Sequence, residues 1–244
     1  MRITDNVFVL SGSYYSATDN GSDRLGVLGE VYGIRSPQGT ILIDCGMPGT
    51  GLEMIRENMS YYGLGETIPY LIITHAHFDH AGNSREIQKM GSKLIAGQED
   101  EAVCKNGGFA GMETPFDRDQ IYPAFTPDIT IDRDQTMELC GLSVDFITIP
   151  GHTPGSIAVR IQLDHHYVLF TGDSLQPSGD ALLNSVSFGW QGDPRFDRKV
   201  LVESIIKLSK VKTDIILPGR GKPCLKNGTD FLRFAAKDIV CKFR

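Results

Sequence analysis

Thr74-His75-Ala76-His77-Phe78-Asp79-His80 is the stretch that decides the fold. It follows a short apolar strand, Tyr70–Ile73, and leads into a helix. Three of the chain's six histidines fall inside this run, with a carboxylate among them. Neutral imidazole and carboxylate are good ligands for zinc and related transition metals. In an extended or turning segment, His75 and His77 point the same way and can grip one ion. Asp79 and His80 sit where the chain turns into the helix and can face a second. A chance cluster on a polar surface is the bland alternative. The apolar strand that feeds the run argues against it, as do further candidate ligands downstream.

Three later segments share that placement just after an apolar strand. Pro150-Gly151-His152-Thr153-Pro154-Gly155-Ser156 puts glycines on both sides of the proline-flanked turn, giving a tight path that aims the His152 ring inward. Phe170-Thr171-Gly172-Asp173-Ser174 ends a strand in a carboxylate, and Leu217-Pro218-Gly219-Arg220-Gly221 ends another in an arginine. Taken singly these are weak signals: a histidine in a Gly/Pro turn is more often a surface residue, and Asp173 could simply cap a turn. Their combination and order are far more specific.

Together with Ile41-Leu42-Ile43-Asp44-Cys45-Gly46, the four segments resemble the motifs of the metallo-β-lactamase superfamily over about residues 7–221. The resemblance implies a four-layer αβ/βα sandwich of α/β class, with a metal site at one edge. It matches His75, His77 and His152 to ligands of a first metal and Asp79 and His80 to ligands of a second. Asp173 matches the carboxylate that bridges the two, and Asp44 a position that braces a ligand histidine by hydrogen bonding.

One position departs from the family. Its last motif usually ends in a histidine that completes the second metal site; here that position is Arg220. The two histidines left over, His165 and His166, fall in a predicted hairpin turn and read as surface residues. A guanidinium stays protonated and offers a metal no lone pair. The second site keeps at most Asp79, His80 and Asp173, plus water. Arg220 is expected to pair with Asp173 or to bind an anionic group of the substrate.

The rest of the chain bounds the possibilities. Its 244 residues, 41% hydrophobic and 22% charged, have a globular balance and read as a single domain, 1–244. The net charge of −6 gives no basic footprint for nucleic acid. Cys45, Cys104, Cys140, Cys224 and Cys241 are odd in number with no C-x-x-C, which fits reduced thiols. Polar groups near Met1 and the absence of a long apolar run predict a cytoplasmic protein without a membrane span.

Strands are expected at 7–10, 27–34, 40–43, 70–73, 93–96, 129–131, 136–139, 143–149, 156–161, 167–170 and 214–217. Helices are expected after Gly51, over 84–90 and 98–105, from an Asp193 N-cap with Pro194 at the first position, and over 230–240. The irregular stretches 106–127 and 175–192 are expected to wall a pocket, with Trp190 and Phe188 as candidate lining.

The ligand set implies a metal-dependent hydrolase. A metal-bound hydroxide would attack a small ester, thioester, lactone or phosphoester, with Asp79 as the catalytic group that orients it and shuttles its proton. The divalent metal is read as zinc, one or two ions, with iron or manganese as alternatives. The compact G-H-T-P-G-S wording resembles glyoxalase II-like thioesterases, lactonases and some β-lactamases. Two other classes fit parts of the pattern. One is an iron oxygenase of the persulfide dioxygenase type, using His75, His152 and Asp173. The other is a non-catalytic member that binds metal or ligand only.

Overall fold

The structure, a computed structural model, describes residues 1–11, 14–15, 25–26, 29–108, 121–177 and 186–243. Strands β1 (Val7–Ser11), β2 (Val31–Ser36), β3 (Gly39–Ile43), β4 (Tyr70–Ile73), β5 (Lys93–Gly97) and β6 (Ile129–Ile131) form a six-stranded sheet in that order. The first three pair antiparallel, and β3 to β6 run parallel. A five-stranded sheet follows from β7 (Gln135–Leu139), β8 (Leu142–Thr148), β9 (Ile157–Leu163), β10 (His166–Gly172) and β11 (Ile215–Pro218), in the order β11-β10-β9-β8-β7.

Burial follows from sequence pattern. Ile41, Leu42 and Ile43 of β3, like Leu71, Ile72 and Ile73 of β4, are buried, as parallel strands covered on both faces must be. Alternate residues then feed two different cores. Ile41, Ile43, Ile72 and Ile95 point to the second sheet, where they meet Phe146, Val159, Val168 and Phe170. Leu42, Leu71, Ile73 and Leu94 point outward, under helices α1 (Thr50–Tyr61), α3 (Ser84–Lys89) and α4 (Glu101–Asn106). On the far side, α5 (Arg198–Leu208) and α6 (Gly228–Lys242) cover Ile147, Leu169 and Ile216 through Leu201, Ile205, Leu232 and Ile239. The layers run helix, sheet, sheet, helix: the four-layer αβ/βα sandwich.

Local chemistry sets the turns. Asp164 and His165, at φ 52° and 66°, make the two-residue connection between β9 and β10, and residues with positive φ suit the twist of such hairpins. Both His165 and His166 are exposed. The helix expected with Asp193 as N-cap and Pro194 at its first position starts four residues later, at Arg198. Asp197 is its N-cap and accepts from the Val200 N–H at 3.1 Å. Asp193 instead closes a turn through the Phe196 N–H at 2.9 Å, and its carboxylate is committed elsewhere. The strand expected over 27–34 begins at Val31; residues 27 and 28 lie outside the described residues, as do 109–120 and 178–185 of the two pocket-wall stretches.

The sheets are brought together tightly beside the carboxyl ends of their strands. A Cβ placed on Gly97, at the end of β5, would lie 1.8 Å from the Gly155 carbonyl oxygen. Gly97→Ala is expected to force the two loops apart at about 1–3 kcal/mol or more. At about 2–4 °C per kcal/mol for a chain of this size, Tm falls by roughly 5–10 °C in a calorimetric scan. An unchanged Tm would show that the approach is not tight.

Candidate metal centre

Every motif residue leaves the carboxyl end of a strand. Thr74, His75 and His77 follow β4, and short helix α2 (Phe78–Ala81) carries Asp79 and His80. His152 follows β8, Asp173 follows β10 and Arg220 follows β11. That is the edge of an α/β sheet where ligands ordinarily bind.

His75, His77, His80, His152, Asp79 and Asp173 are all buried. The Nδ1 of His77 lies 3.0 Å from His75 Nε2 and 3.2 Å from His152 Nε2, so three ring nitrogens face one point. The second nitrogen of His77 explains why Nδ1 faces inward. Its Nε2 is 2.9 Å from Asp193 Oδ2, and a carboxylate there holds the proton on Nε2 and leaves Nδ1 as a lone pair. His80 is held in the same manner: Nδ1 is 2.8 Å from Asp44 Oδ2, which turns Nε2 toward Asp173 Oδ1 at 3.4 Å.

Asp44 is a frame as well as a partner. Standing at φ 58°, it accepts from the Thr74 N–H at 2.7 Å and from the Thr74 hydroxyl at 2.8 Å. It therefore fixes the end of β4 and the ring of His80 with one carboxylate.

Burial pushes the His75 and His152 imidazoles well below their usual range, and the neighbouring histidines and Arg220 push the same way. Both rings are neutral at pH 7, the form that ligates metals. Burial alone would raise Asp193, but hydrogen bonds from His77 and Arg195 hold it well below the usual carboxylate range.

The donor set fits a cation. His75, His77 and His152 form one group of ligand atoms close enough to share an ion, and His75, His80 and Asp173 form another. Asp79 Oδ1, His80 Nε2 and Asp173 Oδ1 are buried without a hydrogen-bond partner. Buried acceptors are ordinarily satisfied, so unsatisfied ones gathered at one point suit a positive charge. Part of that charge is Arg220, whose guanidinium pairs with Asp79 through Nη2 and with Asp173 through Nη1. The pairing with Asp173 follows the sequence reading; that with Asp79 adds to it.

Three residues of the centre carry no sequence motif. Asp193 holds His77, as described. Arg195 bridges Asp193 Oδ2 at 2.7 Å and Asp100 Oδ1 at 2.9 Å. Asp100 is fully buried and ties both histidine loops together: Oδ2 accepts from the Ala76 N–H at 2.9 Å and from the Thr153 hydroxyl at 2.7 Å. Each has only an ordinary local setting in the sequence, so nothing nearby marks it.

The aromatic pair divides. Trp190 lies against the His77 ring at 5.7 Å between centroids, whereas Phe188 is buried and packs on Phe243 at 5.8 Å. Cys45 lies behind the site, its thiol donating to the His80 carbonyl at 3.2 Å and pushed by burial up to about 12. It stays a protonated, inert thiol at neutral pH. Cys224 stands apart, donating to the Lys226 carbonyl at 3.1 Å.

A four-layer sandwich with a buried histidine and carboxylate cluster at its strand-end edge defines a metallohydrolase-type protein. The chain belongs to the metallo-β-lactamase superfamily, whose family model matches residues 26–220. It is 27% identical to a Bacillus subtilis protein named "Probable metallo-hydrolase YflN", over 88% of this chain and 89% of that one. It is also 28% identical to the hydroxyacylglutathione hydrolase GloC of Haemophilus influenzae, over 70% of this chain and 75% of that one. Among solved structures, the subclass B3 metallo-β-lactamase BJP-1 of Bradyrhizobium japonicum superposes with a TM-score of 0.71 at 25% identity, covering 98% of this chain and 92% of that one.

Proposed function

We propose that this superfamily hydrolase holds a zinc ion on His75, His77 and His152 and cleaves a small ester, thioester, lactone or phosphoester. The observation that carries the reading is the convergence of three buried imidazoles on one point, one of them oriented by Asp193 so that its Nδ1 faces the other two. A divalent ion bound there acidifies a coordinated water towards about pH 7 and polarises a carbonyl or phosphoryl oxygen.

The chain's own groups do the rest. Asp79 is the proton-handling residue. Its Oδ2 is occupied by Arg220, while Oδ1 is buried and without a partner, so the proton is taken and returned at Oδ1. Asp173 sets the opposite wall, with Oδ2 at 3.9 Å from His152 Nε2. Trp190 shields the His77 side. Arg220 supplies fixed positive charge beside both carboxylates and is suited to an anionic part of the substrate.

A small-molecule substrate fits this buried edge and the names of the relatives, one of which is a hydroxyacylglutathione hydrolase. Residues 1–244 are read as one domain, since both sheets share a core. The cysteines, all free, suit a reducing, cytoplasmic setting, and among the described residues no helix is long and apolar enough to cross a membrane.

The test is a panel of model esters, thioesters, lactones and phosphodiesters, run on protein purified without an affinity metal and analysed by elemental mass spectrometry. We expect turnover of at least one class, lost with chelator and restored by zinc. Iron in the protein with oxygen uptake would replace this reading by an oxygenase on His75, His152 and Asp173. Absence of turnover across the panel with zinc bound would also overturn it.

A further inference from the structure

We infer that Arg220 is the built-in second cation of this centre, so that the chain takes one divalent ion although its side chains offer two groups of donors. The inference rests on the proposal that His75, His77 and His152 hold a metal.

The two donor groups share His75 but differ in character. One is made of imidazoles alone; the other adds His80 and Asp173, with Asp79 beside it. The carboxylates of Asp79 and Asp173 are fully buried. Two such charges side by side need a cation between them, or one must take up a proton. The structure supplies that cation from the chain itself. A single guanidinium straddles the pair, one terminal nitrogen on each carboxylate.

Arg220 is not a surface side chain that has folded in by chance. The backbone just before it is pinned from three directions. The Gly219 N–H donates to the Gly172 carbonyl at 2.7 Å, at the end of β10. The Gly219 carbonyl accepts from the Glu30 N–H at 2.7 Å, and the Pro218 carbonyl accepts from the Tyr32 hydroxyl at 2.6 Å. Gly219 itself is pressed against the site: a Cβ there would lie 2.6 Å from Asp173 Oδ1 and 2.7 Å from His80 Cε1. Only a residue without a side chain lets the strand end run this close, and the next side chain is then delivered onto the carboxylates. The Arg220 side chain is 19% exposed, so most of its surface is committed inside the protein.

The consequence is exclusive occupancy. A guanidinium has no lone pair to give a metal, and it engages the Oδ2 atoms of both Asp79 and Asp173. A metal in the second group would have to displace it and leave a buried guanidinium without its partners, which is strongly unfavourable. Unlike a second metal, this charge is part of the chain and is not removed by chelator. The residue is thus a positioning group for Asp79 and a fixed electrostatic element of the site.

Zinc titration of the full-length apo protein, counted by elemental mass spectrometry after desalting, tests this without reference to activity. Wild type is expected to retain one zinc per chain, and Arg220→His and Arg220→Ala two. Two zinc ions on wild type would overturn the inference. So would one on wild type and one on both variants, because the arginine would then not be what keeps the second ion out. Zero on wild type would instead remove the three-histidine reading beneath it. The wild-type count stands alone if the variants fail to fold.

Discussion

On the proposed function, His152→Ala is expected to abolish metal binding at the three-histidine group and to lower kcat/KM by about 10⁴-fold or more, because the reaction would revert to water that no metal has acidified. His75 and His77 come from one short segment after β4, and His152 alone closes the group from the other sheet. Without it, two imidazoles remain, one short of the three protein ligands that hold catalytic zinc. The fold should survive the change. His152 sits in a loop whose backbone is kept by the Gly151 N–H on the Thr153 carbonyl at 3.0 Å and by the Asp197 N–H on the Gly151 carbonyl at 2.9 Å. Elemental mass spectrometry beside kinetics on a responsive substrate of the panel decides the matter. A variant that keeps full zinc and full rate would sink the assignment.

The largest effect on stability is expected from Asp100. Its Oδ1 accepts from Arg195 at 2.9 Å and the Gly155 N–H at 3.3 Å, and its Oδ2 from the Ala76 N–H and the Thr153 hydroxyl. Asp100→Ala leaves these donors and one end of Arg195 unpaired in the interior, at about 3–5 kcal/mol. For a chain of this size Tm then falls by about 10 °C. Metal affinity should fall too, by about 10–100-fold, since both histidine loops lose their shared anchor. Calorimetry and a competitive zinc titration measure the two effects. A Tm within about 2 °C of wild type would show that the carboxylate is not what joins the loops.

Much of the candidate site was legible in the chain because its residues are packed into short runs next to apolar strands. The stretch around His75 concentrates three imidazoles, a carboxylate and a helix start, so its candidacy needs no tertiary information. The glycines around His152 likewise reveal a tight path, whereas the close approach at Gly219 came only with the structure. What the sequence hides is the bracing. Asp193 beside Pro194 has the local look of a helix start, but its carboxylate answers to His77, which is far away in the chain. Asp100 sits within an ordinary helical segment, and only packing shows that it meets the loop around Thr153. Arg220 was visible as a departure from the family pattern. Its hold on Asp79 was not, since the sequence reading directed it to Asp173 or to the substrate.

The order in which the polypeptide leaves the ribosome bears on when the centre can form. All strands of the first sheet lie within residues 7–131, and all those of the second within 135–218. No strand crosses between them, so each layer can be assembled from its own contiguous stretch. The run from His75 to His80 is made early, yet its partners His152, Asp173 and Arg220 are synthesised much later, and the cluster closes only when the layers dock. On the proposed function, metal capture would therefore be a late event in biogenesis, and a nascent chain stalled before residue 150 should be a poor chelator. An ion held there would then work as a clasp on a finished sandwich, rather than as a seed around which the chain condenses.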